Sequence, residues 1–335
     1  KMQTDGIIPT LETIKIKLDS LLPMGYCNCG EVVRIGRGVT GFKIGERVIS
    51  NGPHAEFVAV SKNLCSKIPD NVRDESAVYT VMGAIAMQGI RLVKPSFGES
   101  VVVIGLGLIG ILTAQILSAN GCRVVGVDTS VERVRQARNM GITAVTQEKD
   151  LTKNKYIKKI AAQSSVDAVI ICANTVSNEP MHQAANLCRK NGRVILVGST
   201  GLNISRDDFF EKEITFQVSC SYGPGRYDEN YEIKGNDYPI GYVRWTEKRN
   251  FDAILSAMAL DQIDVSKLTT DLYQFTEIEK AYKKINNSKN SLGVLLEYNA
   301  KNKRNSNHAN EKVIILNKKK RSKKISKISS GFIGA

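Results

Sequence analysis

The sequence has few histidines and no long apolar run. Three histidines occur among 335 residues, and the apolar runs fall short of the roughly 18 residues that a membrane-spanning helix needs. Seven cysteines, an odd number without paired spacing, sit partly inside apolar strand-like runs. This pattern predicts a soluble protein with reduced, buried thiols, typical of the cytoplasm, and it excludes a disulfide-stapled fold.

Positive charge is concentrated near the end of the sequence. The formal net charge is +14, but residues 299–335 alone hold 11 Lys/Arg and one acid, so the other 298 residues carry only +4. That tail lacks interleaved aromatics, which argues against a nucleic-acid partner and predicts a basic linker. Hydrophobic residues at 42% and charged residues at 24% are ordinary for a globular chain of about two domains.

Apolar spacing divides the chain into a small β region and an α/β region. Short glycine-separated β runs are predicted at 32–33, 47–49 and 56–60, followed by helical spacing over 76–94. Continuous apolar strands then alternate with helices, which indicates a doubly wound parallel sheet. Its strands are predicted at 101–104, 122–127, 166–171, 193–197 and 214–218. Helices over 246–260 and 276–285 and a strand over 293–297 are predicted after them.

A glycine-rich turn follows the first buried strand of that sheet. The turn reads Gly105, Leu106, Gly107, Leu108, Ile109, Gly110 and opens a helix. In such a turn the first glycine permits the tight reversal, the second lets the backbone approach a diphosphate, and the third lets helix and strand pack closely. The context of strand, turn and helix predicts a dinucleotide site.

Further residues are expected at the same site. Asp128 ends the next strand, where a carboxylate accepts hydrogen bonds from ribose hydroxyls and repels a 2′-phosphate, which favours NAD over NADP. Arg133 either covers the adenine or is a solvated helix residue. Asn174, Thr175 and Gly198 follow strand ends, where the ligand crevice of such sheets lies, so Asn174 and Thr175 are expected at the nicotinamide ribose rather than as helix caps.

The chain resembles the medium-chain dehydrogenase/reductases over about residues 24–298. The likeness is carried by the fingerprint and by the segments 31–36, 45–48, 140–144 and 192–194. It implies a GroES-like β domain built from both ends of the chain, with a Rossmann NAD-binding domain inserted. The implied divisions are residues 1–83, 84–219 and 220–298.

A narrower likeness points to bacterial two-part oxidoreductases. The segments 4–12, 221–228 and 238–250 resemble those proteins, in which a zinc-free medium-chain unit is fused to a Gfo/Idh/MocA-type domain. Residues 331–335 resemble the start of that second domain's glycine fingerprint. This resemblance implies that residues 299–335 are a linker and a truncated second oxidoreductase domain, and that the chain is truncated at both ends.

Zinc ligands of the alcohol dehydrogenase pattern are missing. Where those enzymes carry Gly-His-Glu, this sequence has Gly25-Tyr26-Cys27, and Cys27 with Cys29 forms C-x-C rather than a C-x-x-C half-site. Outside the tail, the histidines are His54 and His182 alone. The sequence therefore predicts that no zinc is bound.

Hydride transfer at a carbonyl carbon needs a group that stabilises or protonates the oxygen. The candidates are Tyr26, His54, Tyr222 and Arg226. For Tyr26 the alternative is a packing aromatic, and for His54 a turn histidine bonded to backbone. Tyr222 and Arg226 follow the last strand of the sheet and are expected to border the substrate. Arg226, with Arg244 and Arg249, could form an anionic pocket or a salt-bridged surface.

Two functions fit these features. The first is an NAD-dependent oxidoreductase acting on a hydroxyl or carbonyl of a small molecule, with the carbohydrate class implied only by the fusion resemblance. The second is a non-catalytic cofactor-binding module, regulatory or scaffolding, for a fused domain. A homo-oligomer without membrane or nucleic-acid partners is expected in both.

Overall fold

The computed structural model describes residues 23–161, 165–288 and 290–298. The segment 4–12, the basic tail and the segment 331–335 lie outside these residues. No helix in the described part is both long and apolar enough to cross a membrane.

The first part of the chain forms a three-stranded antiparallel sheet in the order β1-β2-β3. Its strands are β1 (Asn28–Glu31), β2 (Arg47–Ser50) and β3 (Cys65–Lys67). The strand predicted over 56–60 is wrong, because β1 and β3 occupy both edges of β2 and Phe57 is 67% exposed. The strand expected at 32–33 is displaced, since β1 ends at Glu31 and the Val32 amide bonds only the carbonyl of Glu46 at 3.0 Å.

Two helices replace the single one predicted over 76–94. They are α1 (Asp74–Ala77) and α2 (Thr80–Val93), and α2 ends at Lys94 in the left-handed conformation, with φ +52°. Helix α2 carries the chain from the small sheet into the α/β region.

A six-stranded parallel sheet in the order β6-β5-β4-β7-β8-β9 forms the larger part. Its strands are β4 (Ser100–Ile104), β5 (Arg123–Asp128), β6 (Ala144–Thr146), β7 (Val166–Ile171), β8 (Cys188–Leu196) and β9 (Thr215–Val218). The connecting helices are α3 (Leu108–Ala119), α4 (Val131–Asn139), α5 (Lys155–Ile160), α6 (Glu179–Leu187) and α7 (Arg206–Phe210). The predicted doubly wound sheet is confirmed. Within this sheet the sequence analysis missed one strand, β6, which has only three residues.

After β9 the chain returns to the first part. The elements are α8 (Glu229–Glu232), α9 (Glu247–Ala259), β10 (Thr269–Gln274), α10 (Ile278–Asn287) and β11 (Gly293–Glu297), and short 3-10 helices lie at Lys62–Leu64, Leu151–Lys153 and Phe275–Glu277. β10 and β11 pair in parallel. The Lys248 ammonium donates to the carbonyl of Cys65 at 2.6 Å, and the Tyr79 and Thr269 hydroxyls are 2.7 Å apart. These contacts support the expected domain divisions, which remain predictions.

Apolar side chains cover both faces of the parallel sheet. Val101 and Val103 of β4 belong to one buried cluster with α2 and α3, whereas Val102 and Ile104 belong to a second cluster on the other face. The first cluster extends through α2 to Ile49 of β2 and to Phe251 and Ile254 of α9. One continuous apolar core therefore joins the small sheet to the parallel sheet.

Candidate cofactor and substrate site

The glycine turn after β4 is fixed by two close backbone approaches. Gly105 has φ +95°, and a Cβ there would lie 2.6 Å from the amide nitrogen of Ala173. A Cβ on Gly110 would lie 1.8 Å from the carbonyl oxygen of Gly105. Gly105 therefore makes the reversal, and Gly110 lets α3 contact the turn directly.

Gly107 differs from both of these glycines. Its φ is −71°, and no atom lies within 4 Å of the position its Cβ would take, so neither strain nor packing requires glycine there. Leu106 is fully buried against Gly126, whereas Leu108 and Ile109 begin α3. Open space at Gly107, in front of the N-terminus of α3, is the arrangement that lets a diphosphate approach backbone amides.

The Asp128 carboxylate is held by backbone amides. One oxygen accepts a hydrogen bond from the Leu106 amide at 2.7 Å, and the other accepts one from the Ser130 amide at 2.8 Å. Because a carboxylate offers about four acceptor positions, two remain for other donors. The residues of this turn therefore fit the diphosphate and ribose of a dinucleotide.

Arg133 is half-buried rather than a freely solvated helix residue. Its guanidinium donates to the carbonyl of Ser291 at 2.7 Å, and burial lowers its pKa. It thus ties α4 to the loop before β11, and its contact with the adenine stays a prediction.

Asn174, Thr175 and Gly198 lie together beyond the carboxyl ends of β7 and β8. Asn174 pairs with Ser199, and the Thr175 amide donates to the Ser199 carbonyl at 2.8 Å. A Cβ on Gly198 would lie 2.1 Å from the carbonyl oxygen of Ala173. This places the three residues at the edge where ligands of parallel sheets bind, and the residue that precedes α6 is Asn178 rather than any of them.

Tyr222 is a buried packing residue in this structure, and its contact with a substrate stays a prediction. It is 3% exposed, and its ring centre lies 5.6 Å from that of Phe251. Its hydroxyl accepts a short hydrogen bond from the Asn51 side-chain amide, and burial raises its pKa. The phenol therefore joins the loop after β9 to the end of β2.

The three arginines after β9 do not form one pocket. Arg226 makes an ion pair with Glu232 at 2.5 Å, and Arg249 makes one with Asp237 at 2.6 Å. Arg244 lies apart from them, beside Trp245. For Arg226 and Arg249 the salt-bridged alternative is correct, because each guanidinium is already neutralised by a carboxylate.

Tyr26 and His54 lie on neighbouring loops of the first part. Tyr26 is 45% exposed, and its hydroxyl is 3.8 Å from the sulfur of Met82. The Nδ1 atom of His54 is 3.1 Å from the Tyr282 hydroxyl, and burial lowers the pKa of the imidazole. His54 is therefore a neutral imidazole paired with a phenol, a hydrogen-bonding role that its sequence context did not reveal.

Metal ligands do not converge in the described residues: no group of three or more His, Cys, Asp or Glu side chains there could hold a metal ion. Burial raises the pKa of the Cys27 and Cys29 thiols to about 12. The Cys29 thiol donates to the carbonyl of Asp74 at 3.4 Å. These residues do not fit a zinc site.

Glu247, which sequence reasoning missed, is a fully buried acid at the start of α9. It is 0% exposed, and neither carboxyl oxygen has a hydrogen-bond partner among the residues described. Burial, with the nearby Glu232 carboxylate, raises its pKa to about 8, while Arg226 acts in the opposite direction. In the sequence, a glutamate directly after Thr246 looks like an ordinary acidic residue at the start of a helix. No sequence pattern therefore marks Glu247 as buried.

Comparison with known proteins adds to this geometry. A family profile described as zinc-binding dehydrogenase matches residues 109–233. Sorbitol dehydrogenase of Halalkalibacterium halodurans is 24% identical over 293 residues, covering 77% of this chain and 78% of that protein. D-xylulose reductase of Saccharomyces cerevisiae is 27% identical over 255 residues, covering 64% and 71%. Over these ranges the chain is similar to zinc-type polyol dehydrogenases and reductases.

A solved structure extends the likeness to the fold. An alcohol dehydrogenase of Escherichia coli CFT073, in complex with NADH, superposes with a TM-score of 0.65 at 19% identity, covering 85% of this chain and 87% of that one. The chain thus has the fold of the zinc-type alcohol dehydrogenases, with a GroES-like part and a Rossmann part, as expected from the sequence. The second-domain likeness of residues 331–335 remains a prediction.

Replacing Gly110 tests the close contact in the turn after β4. Gly110→Ala should cost at least about 1–3 kcal/mol of stability, because its Cβ must displace the Gly105 carbonyl. Thermal melting should show a fall of several degrees. Gly107→Ala is the matched control and should melt like the wild type, since its Cβ meets no atom. Equal melting of all three proteins would contradict this geometry.

Replacing Glu247 tests its buried carboxyl. The unfolded chain loses this proton near the ordinary glutamate value, whereas the folded protein keeps it up to about pH 8. The folded state therefore binds more protons in this window, and stability falls as pH rises, by at most about 1.4 kcal/mol per pH unit.

Glu247→Gln should remove this fall in folding stability with rising pH. Its gain in melting temperature over the wild type should grow from about pH 5 to about pH 8. The control is Glu211→Gln, at an exposed position. A constant difference between Glu247→Gln and wild type across this range would show that the carboxyl is ionised at all these pH values.

Proposed function

We propose that this chain is an NAD(H)-dependent oxidoreductase that transfers hydride to or from a hydroxyl or carbonyl carbon of a small polyol-type substrate, without zinc. The observation that carries the proposal is the glycine turn, with its open space at Gly107 and the Asp128 carboxylate fixed by the Leu106 amide. The polyol class is supported by relatives named for sorbitol and D-xylulose.

Different residues around the turn bind different parts of the cofactor. Backbone amides at Gly107 and Leu108, in front of α3, receive the diphosphate, and Asp128 accepts hydrogen bonds from the ribose hydroxyls. When bound, the nicotinamide supplies or accepts the hydride. Asn174, Thr175 and Gly198 border its ribose at the carboxyl edge of the sheet. The Asp128 charge disfavours the 2′-phosphate of NADP.

The proposal assigns proton transfer to side chains on the loops of the first part, together with Tyr282 of α10. His54 is neutral, and its pairing with the Tyr282 hydroxyl connects an imidazole to a phenol that can exchange a proton with it. Tyr26 offers the other exposed hydroxyl. Tyr222 and Arg226, held by Asn51 and Glu232, position the loop after β9.

The expected partners and location remain part of the proposal. The edge strand β9 leaves Val218 53% exposed, which supports a homo-oligomer. All seven cysteines are free, which supports a cytoplasmic location. We retain the fused second oxidoreductase domain as a prediction from resemblance alone.

A turnover assay on chelated protein tests hydride transfer and zinc independence together. Protein treated with EDTA and shown by elemental analysis to hold far less than one zinc per chain should still reduce NAD with sorbitol or xylitol. Activity restored only by added zinc would reject the zinc-free mechanism. Tight NADH binding without turnover on any polyol or keto-sugar would favour the non-catalytic cofactor module.

Asp128→Ala tests the cofactor preference. Loss of the ribose hydrogen bonds and of the repulsion should erode the preference for NADH over NADPH by on the order of 1.5–3 kcal/mol, which is about tenfold or more. Direct fluorescence titrations with NADH and with NADPH measure this preference. Glu132→Gln, on the following helix, is the control and should keep the preference. Equal affinity of wild type for NADH and NADPH would refute the role of Asp128.

A further inference from the structure

Two arginine side chains stack on the one tryptophan of the chain. The guanidinium carbons of Arg91 and Arg244 lie 3.2 Å and 3.8 Å from the ring centre of Trp245. Two planar groups at these distances cannot share a face of the ring, so they occupy opposite faces. Their separation is at most the sum of the two distances, close enough for the positive charges to repel each other.

No carboxylate of the described residues compensates this pair. None lies within 4.0 Å of either guanidinium, whereas Arg226 and Arg249 of the same segment each have an acidic partner. Burial, and then the nearby Arg244, lower the pKa of Arg91 to about 10, so both groups are charged at neutral pH. The part of the chain described here thus leaves two adjacent cations without an anion.

One hydrogen bond holds Arg91 in place, and its terminal guanidinium nitrogens are unused donors within the described ranges. Its Nε donates to the side-chain oxygen of the fully buried Asn250 at 2.7 Å, and the Asn250 amide donates to the Tyr222 carbonyl at 2.9 Å. The terminal nitrogens of Arg91 and the guanidinium of Arg244 make no hydrogen bond within the described ranges, and none of them is enclosed. Such fixed, unused donors lose little freedom when a ligand binds.

We propose that Arg91 and Arg244 bind an oxyanion, a phosphate or a carboxylate, beside Trp245. The forked guanidinium matches the oxygens of these groups, and the pair lacks the anion that would neutralise it. Hydride transfer does not require this site, so the inference goes beyond the proposed function. The oxyanion is either a free ion or the charged group of a sugar-type substrate, and Asn250 links its site to the loop at Tyr222.

Fluorescence of Trp245 reports on this site alone, because the chain has no other tryptophan. Inorganic phosphate is titrated at constant ionic strength against chloride, with calorimetry as a second readout. The wild type should show a saturable change that chloride does not produce. Arg244→Met should weaken phosphate binding at least about tenfold by removing one charged donor group.

The control is Arg206→Met, which removes an arginine that stacks 3.6 Å over Phe210 in the parallel-sheet part. It should bind phosphate like the wild type. A response that does not saturate, or wild-type phosphate affinity in Arg244→Met, would overturn the proposal. Because Arg244 is exposed, that variant should fold, and its unchanged NADH affinity would separate this result from any failure of the cofactor site.

Sorbitol 6-phosphate distinguishes the two sources of the oxyanion. If the substrate carries the charge, this compound should bind more tightly than inorganic phosphate, and the gain should disappear in Arg244→Met. If the ligand is a free ion, both should bind equally in the wild type and both should weaken in the variant. Binding of sorbitol 6-phosphate that Arg244→Met leaves unchanged would overturn the proposal.

Discussion

The contact between Gly110 and the Gly105 carbonyl is the constraint on which the site depends. With no Cβ between them, α3 begins directly against the turn that leaves β4, and its amide end faces the open space at Gly107. The same turn places the Leu106 amide on the Asp128 carboxylate, which couples the ends of β4 and β5. Cofactor geometry thus follows from one close approach of backbone to backbone.

The parallel sheet was predictable because its central strands, such as β4, are buried on both faces. Continuous apolar runs such as 101–104 and 168–171 carry that signal without any tertiary information, and they lie within β4 and β7. The run 56–60 also contains apolar residues but pairs with no strand of the described residues, and its Phe57 is 67% exposed. Composition cannot distinguish these cases, because edge pairing is decided by the other strands.

The cofactor turn was predictable from local spacing, whereas the substrate side was not. Asn51 contacts Tyr222, and Arg91 contacts Trp245, across long stretches of chain. Which acid neutralises which arginine also depends on the folded path of residues 220–250. The sequence therefore left a pocket and a salt-bridged surface as alternatives, and the ion pairs of Arg226 and Arg249 decide for the second. Such pairings leave no periodic trace in the sequence.

The shared apolar core limits how the two parts of the enzyme can move. The cluster that contains Ile49 of the small sheet also contains Val103 of the parallel sheet and Phe251 of the returning helix. Opening the two parts as rigid bodies would expose this cluster to water, at roughly 25 cal/mol for each Å² of apolar surface. The packing of α2 on α9 within this cluster therefore opposes rigid-body opening of the two parts.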